Sequence, residues 1–317
     1  MVIPVTSIQQ VLFCVTSFTN SLINSKFAFI NFNIIIFRLM DLHVIYTEDF
    51  KLDGGACFGV VPKSVWSKLY PPDENNNVDV CNRLLLIETG NRKILIDTGI
   101  GNKQSEKYLS YFFIRGNTLE KALSEKGFSP NDITDVIFTH LHFDHVGGAV
   151  VFNPENKNTK ALFPNATYYC SKAQWDWAIN PNPREKASYH PENYMSLYES
   201  GKLQFIMKEG SFADGISILI TNGHTQGQVI PVIDYKGRKI IFMADFISAV
   251  PNIPIAYIPS YDVQPLLSLK EKTDFLEIAA NENYILFFEH DSHHECCNVH
   301  KTEKGIRVKD IFKLTDI

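Results

Sequence analysis

After Met40 the apolar positions fall into short runs of strand length, each closed by turn residues, with two stretches of helical period between them. Strands are predicted at Leu42–Tyr46, Arg83–Glu88 and Lys93–Asp97, and Thr89-Gly90-Asn91-Arg92 joins the last two as a hairpin. Asp97-Thr98-Gly99-Ile100-Gly101 closes that hairpin with turn residues, and Thr118–Lys126, followed by Gly127, has the spacing of a capped helix. Further strands are predicted at Asp135–Thr139, Ala166–Cys170, Ile216–Thr221, Gln228–Asp234, Lys239–Ala244 and Tyr284–Phe288, with a helix at Pro265–Ala280. Two groups of strands with helices outside them predict an α/β (α+β) chain built on two sheets packed face to face. Trp175–Leu197, rich in aromatic, Pro and Asn residues, breaks the rhythm. This insertion, near residues 171–200, is expected either to cover a site as a helical lid or to add a satellite core.

The first 39 residues follow other rules. From Met1 to Met40 there is no Asp or Glu, and Asn, Ile, Phe and Ser dominate. The first basic residue is Lys26, which does not suit a secretory signal, and the longest apolar stretch falls well short of the roughly 20 residues of a membrane span. Met40 is therefore the expected working start, with residues 1–39 an extension outside the fold and 40–317 the domain.

The composition narrows the partners. With 317 residues, 45% of them hydrophobic, a sizeable core is available, whereas a net charge of −5 without any Lys/Arg block argues against nucleic acid. A small molecule is the expected partner, with no membrane association. Cys14, Cys57, Cys81, Cys170, Cys296 and Cys297 contain no C-x-x-C pair, so neither a disulfide framework nor a cysteine zinc site is expected. A reducing, cytoplasmic setting follows, and the adjacent Cys296-Cys297 is assigned to packing.

Chemistry concentrates in Thr139-His140-Leu141-His142-Phe143-Asp144-His145-Val146-Gly147-Gly148, which places three imidazoles and a carboxylate directly after an apolar strand. Neutral imidazole and carboxylate are ligands of borderline divalent metals, and burying them without an ion would strand several polar groups. His140 and His142, two apart, project to one side of an extended segment, and Asp144 and His145 follow as the chain bends. Gly147-Gly148 is expected to let backbone approach the metal closely. Three more candidates end apolar strands: His224 in Asn222-Gly223-His224-Thr225, Asp245 after Met243-Ala244, and His290 after Phe288-Glu289. Singly each suits a turn. Together they converge on one rim of a sheet.

The order His140-x-His142-x-Asp144-His145, then His224, Asp245 and His290, resembles the metallo-β-lactamase superfamily of hydrolases from Met40 to the C-terminus. The resemblance implies a four-layer αββα sandwich. The segment Leu52-Asp53-Gly54-Gly55-Ala56-Cys57-Phe58-Gly59-Val60-Val61-Pro62-Lys63, with Trp66, Glu74-Asn75-Asn76, Phe163-Pro164-Asn165-Ala166-Thr167 and Tyr261-Asp262, is similar to the quorum-quenching N-acyl-homoserine-lactone lactonases and their methyl-parathion-hydrolase relatives. Carried over, it implies two divalent ions, Zn2+ first and Mn2+, Fe2+ or Co2+ as alternatives. His140, His142 and His224 would hold one, Asp144, His145 and His290 the other, and Asp245 would bridge. Asp97 matches a position that supports the ligands from behind.

The implied activity is hydrolysis of a lactone or ester by a hydroxide held between the ions, with Asp144 and Asp245 as the catalytic carboxylates. A phosphotriesterase or arylesterase is the alternative, and a homodimer is compatible with the resemblance. A redox relative of the same fold carries Glu at the position of His142, and a metal-free relative would lack ligands that are all present here. Two positions depart from the pattern. Ser248 stands where lactonases carry a tyrosine that holds the substrate carbonyl, leaving Tyr257 or Tyr261 to substitute, and Gln228 replaces a histidine that is not expected to be a ligand. Phe58, Val60, Trp66 and the inserted segment are expected to form an apolar wall for an acyl chain.

Overall fold

The computed structural model describes residues 40–153 and 158–317, so the expected extension at 1–39, with Cys14, lies outside the described residues. Five strands come first: β1 Met40–Asp53, β2 Asn77–Thr89, β3 Arg92–Ile96, β4 Arg115–Gly116 and β5 Asp135–Ile137. A separate hairpin pairs β6 Val150–Asn153 with β7 Asn158–Ala161, and β8 Thr167–Ser171 and β9 Leu203–Ile206 complete a seven-stranded sheet in the order β4-β1-β2-β3-β5-β8-β9. The second sheet runs in sequence order through β10 Gly210–Ala213, β11 Ile216–Thr221, β12 Gln228–Tyr235, β13 Arg238–Phe242, β14 Ile285–Phe287, β15 Cys296–Thr302 and β16 Gly305–Phe312.

Why the strands are apolar on both faces is visible residue by residue. Leu85, Ile87, Ile94 and Ile96 of the first sheet meet Ile218, Ile233, Ile240 and Phe242 of the second in one buried cluster between the sheets. Their chain neighbours Leu84, Leu86 and Leu95 point the other way, against Leu119 and Leu123 of the helix Leu119–Glu125 and Trp175 of the helix Lys172–Ala178. On the far side, Ile241, Leu286 and Cys297 pack on Phe275 and Leu276 of the helix Pro265–Asn281. The central strands β2, β3, β13 and β14 are thus buried on two sides, which requires continuous rather than alternating apolar runs. The layers are helix, sheet, sheet, helix, as the sequence implies.

The predicted elements are present with moved ends, and among the described residues seven strands outside the prediction appear: β4, the β6–β7 hairpin, β9, β10, and the β15–β16 hairpin, whose register joins Thr302 to Gly305. Cys296 and Cys297 are fully buried in packing. β1 runs beyond the expected Tyr46 to Asp53 through a bulge between Tyr46 and Asp49. Among the described residues no helix is long and apolar enough to cross a membrane.

Parallel pairing places the chemistry. β3 and β5 run parallel, as do β13 and β14, so the residues after their C-terminal ends reach the same rim. Asp97 follows β3, Thr139 and His140 follow β5, Asp245 follows β13 and His290 follows β14. Asp97 and Ala244 sit at these ends with φ of 58° and 43°, a left-handed backbone that non-glycine residues hold at a cost of order 1–3 kcal/mol, typical of chain forced to aim a functional group.

Candidate metal centre

The seven residues singled out in the sequence meet at one point. His140, His142, His224 and Asp245 form one group of mutually close ligand atoms, and Asp144, His145 and His290 form another beside it. Asp245 lies between the two groups. Its Oδ2 is 3.1 Å from His224 Nε2, 3.4 Å from His145 Nε2 and 3.6 Å from His140 Nε2, while its Oδ1 is 3.2 Å from His290 Nε2. The helix Phe143–Val146 begins inside the motif, with His142 as its N-cap residue, which separates the His140–His142 pair from Asp144 and His145.

Every imidazole is tied from behind. His145 Nδ1 faces Asp97 Oδ2 at 3.0 Å, His224 Nδ1 faces Asp262 Oδ1 at 3.0 Å, His290 Nδ1 faces the Cys81 carbonyl at 2.9 Å, and His142 Nε2 faces Glu185 Oε1 at 2.9 Å. His140 Nδ1 lies 3.1 Å from the Thr139 hydroxyl, which itself donates to Asp97 Oδ2 at 2.6 Å and so accepts from the ring. These outer partners accept, so in the neutral ring the outer nitrogen carries the proton and the inner one presents a bare lone pair. Yet inner nitrogens lie 2.9 Å apart between His140 Nε2 and His142 Nδ1, and 3.1 Å apart between His290 and His145. Lone pairs this close, around a carboxylate, fit a divalent cation.

Electrostatics agrees. Burial, then the neighbouring imidazoles, hold His140 well below the usual imidazole range, in the neutral form a ligand needs. Burial also lowers His224 and His290, but the Asp245 carboxylate outweighs it and pushes them up to about 10 and about 9. Without a cation, protons gather where the carboxylate field is strongest, and a metal would displace them.

A family model described as the metallo-beta-lactamase superfamily matches residues 83–290, which span β2 to the last of the seven residues. The chain belongs to the metallo-beta-lactamase superfamily. It is 26% identical over 223 residues to the N-acyl homoserine lactonase AiiA of Bacillus thuringiensis subsp. kurstaki, covering 66% of this chain and 81% of that protein. A solved structure of a probable metal-dependent hydrolase from Staphylococcus aureus is similar with a TM-score of 0.78 and 30% identity over 86% of this chain and 96% of that one. AidC, described as a dizinc quorum-quenching lactonase, shares the fold with a TM-score of 0.68 at 23% identity, over 85% of this chain and 94% of that one.

In this member of the metallo-beta-lactamase superfamily the centre opens into a cavity of about 480 Å³. Phe58, Val80, Tyr108, Phe112 and Phe143 give it an apolar wall, and Arg184, Glu185, Ala187 and Ser188 of the inserted segment line its other side. The inserted aromatics Trp175, Tyr189 and Tyr194 are buried in the core beneath. Val60 is no part of the wall, because it is 92% exposed, and Trp66 stands behind it, stacked on Phe58 at 5.1 Å. Tyr261 lines the cavity with its hydroxyl 3.5 Å from Ser248 Oγ; among the lining residues Tyr257 does not figure, and its carbonyl instead accepts from Lys272.

Gly147 and Gly148 serve another purpose than the one expected. A Cβ on Gly147 would lie 1.6 Å from the Ile100 carbonyl oxygen, and one on Gly148 would lie 2.1 Å from that of Thr98. Their bareness admits the loop after β3, not a metal. That loop matters to the centre because Thr98 donates to the His145 carbonyl. Asp262, Glu185, Thr139 and the Cys81 carbonyl escaped sequence reasoning as ring anchors. Of these only Asp262 carried a signal, in its place beside Tyr261 in a family-like pair.

Proposed function

We propose that this metallo-hydrolase opens lactone or ester bonds, with N-acyl-homoserine lactones as its substrates. The observation that carries the reading is the set of five back-anchored imidazoles around Asp245, their bare nitrogens converging at the floor of a largely apolar cavity. The lactonase relatives support it at 26% identity. His140 Nε2, His142 Nδ1 and His224 Nε2 would hold one cation, Asp144, His145 Nε2 and His290 Nε2 the other, and Asp245 would belong to both. Zinc is the ion we assign, and Mn2+, Fe2+ or Co2+ suits the same donors. Bound there, such ions supply Lewis-acid polarisation of a carbonyl and a hydroxide at neutral pH.

The chain's own groups do the rest. The phenyl wall of Phe58, Phe112 and Phe143 takes the acyl chain out of water. Ser248 donates to Asp245 Oδ1 at 3.2 Å, and the Tyr261 hydroxyl beside it donates to the substrate carbonyl oxygen, filling the place that the missing tyrosine leaves. Asp144, in the cavity lining, takes up the proton that the newly formed carboxylic acid releases and passes it to the departing alkoxide oxygen. The five described cysteines are buried and free of disulfides, which suits a cytoplasmic enzyme.

A hydrolysis panel of acyl-homoserine lactones, aryl esters, phosphotriesters and a cephalosporin tests the assignment, with His142→Ala as control. Turnover of the lactones, lost with metal in the variant, is expected. Phosphotriester or aryl-ester turnover without lactone turnover would replace the substrate class, and full activity in His142→Ala would remove the metal mechanism.

A further inference from the structure

Glu289 is fully buried, and neither of its carboxylate oxygens has a hydrogen-bond partner among the described residues. The ionic neighbour it does have is His145, whose Nδ1 lies 3.2 Å from Oε2. That nitrogen already faces Asp97 Oδ2 at 3.0 Å. One N–H therefore stands between two carboxylates, in a third cluster of Asp97, His145 and Glu289 directly behind the centre. Among the described residues the other four imidazoles are anchored differently: His142 and His224 by one carboxylate each, His140 by a hydroxyl and His290 by a backbone carbonyl. A buried carboxylate with so little compensation opposes folding unless something nearby supplies positive charge.

We propose that Glu289 is a positioning residue that acts through His145, tightening the ion held by Asp144, His145 and His290 while destabilising the chain when that ion is absent. The proposal rests on the two-ion reading above. Negative charge behind the Nδ1–H makes Nε2 a stronger donor, and a divalent cation in turn offsets the buried charge. The two halves of the centre would then differ in affinity, with the doubly backed half the tighter.

Loss of the Glu289 charge therefore has two effects of opposite sign, which a merely structural role would not produce. Glu289→Gln and Glu289→Met both keep the size of the side chain and remove its charge, the second guarding against a stranded amide. Zinc binding to the full chain is measured by competition with a chromophoric chelator, and melting is followed with and without metal. The expected result is two equivalents in the parent. In each variant one equivalent is weakened by about 10–100-fold and the other is unchanged, and the metal-free protein melts at a higher temperature. Affinities unchanged at both sites would overturn the proposal. So would both equivalents weakening together with a lower metal-free melting temperature, the mark of a packing role. If the parent itself binds fewer than two ions, the two-ion reading fails first and takes this inference with it.

Discussion

Glu185 Oε1 lies 2.9 Å from His142 Nε2, so the ring turns its Nδ1 into the centre, whereas the other four histidines present Nε2. The same carboxylate accepts from Trp177 Nε1 at 2.6 Å, the Tyr189 hydroxyl at 2.7 Å and Asn182 Nδ2 at 3.1 Å. Burial raises its pKa, but the hydrogen bond and charge of His142, with the Thr225 and Trp177 donors, win and hold it down to about 2. An ionised, saturated acceptor thus fixes one ligand, and it comes from the inserted segment that lines the cavity.

Replacing that acceptor by an amide should loosen one half of the centre. Glu185→Gln turns one acceptor into a donor facing donors, and loss of such an outer partner costs about 10–100-fold in metal affinity. The expected outcome is release of one equivalent on dialysis against a mild chelator, with the other retained. Undiminished metal content would show that His142 is fixed by its packing alone.

The Tyr261 hydroxyl permits a sharper test of the substrate side. Removing an oxyanion-type donor lowers kcat by about 10²–10³. Tyr261→Phe should show a fall of this order at unchanged metal content, because the ring and its edge contact with His224 stay in place. Steady-state kinetics with metal analysis of the same sample separates the two effects. Activity within about twofold of the parent would place the hydroxyl off the reacting carbonyl.

The contrast between what the sequence makes plain and what it hides has a physical cause. The run Leu84-Leu85-Leu86-Ile87 is legible because a strand covered on both faces must be apolar throughout. The motif from His140 to His145 is legible because ligand types crowd at short spacing. The β15–β16 hairpin is hidden, since Asn298, His300, Lys301 and Thr302 interrupt it and much of β16 faces solvent. Glu185 and Glu289 look like surface acids in one dimension. Their roles arise from partners 43 and 144 positions away, a distance that no local pattern encodes.

Lys272 links the cavity to stability through pH. On the helix Pro265–Asn281 it is 2% exposed, and its Nζ donates to the Pro254 and Tyr257 carbonyls at 3.0 Å each, holding the loop that leads to Tyr261. Burial pushes its pKa down to about 7, with Asp262 opposing. In the unfolded chain the amine keeps its proton up to about pH 10.4. Between about pH 7 and pH 10 the unfolded state therefore binds more protons, and this group's contribution rises with pH, by at most about 1.4 kcal/mol per unit. It is complete above the unfolded value and lost as pH falls to the folded one. Lys272→Met removes the titration, so the melting temperature of the parent should gain on that of the variant as pH rises from about 7 to 9.5. Parallel curves across that window would mean that the amine stays protonated in the fold, solvated by the two carbonyls it grips.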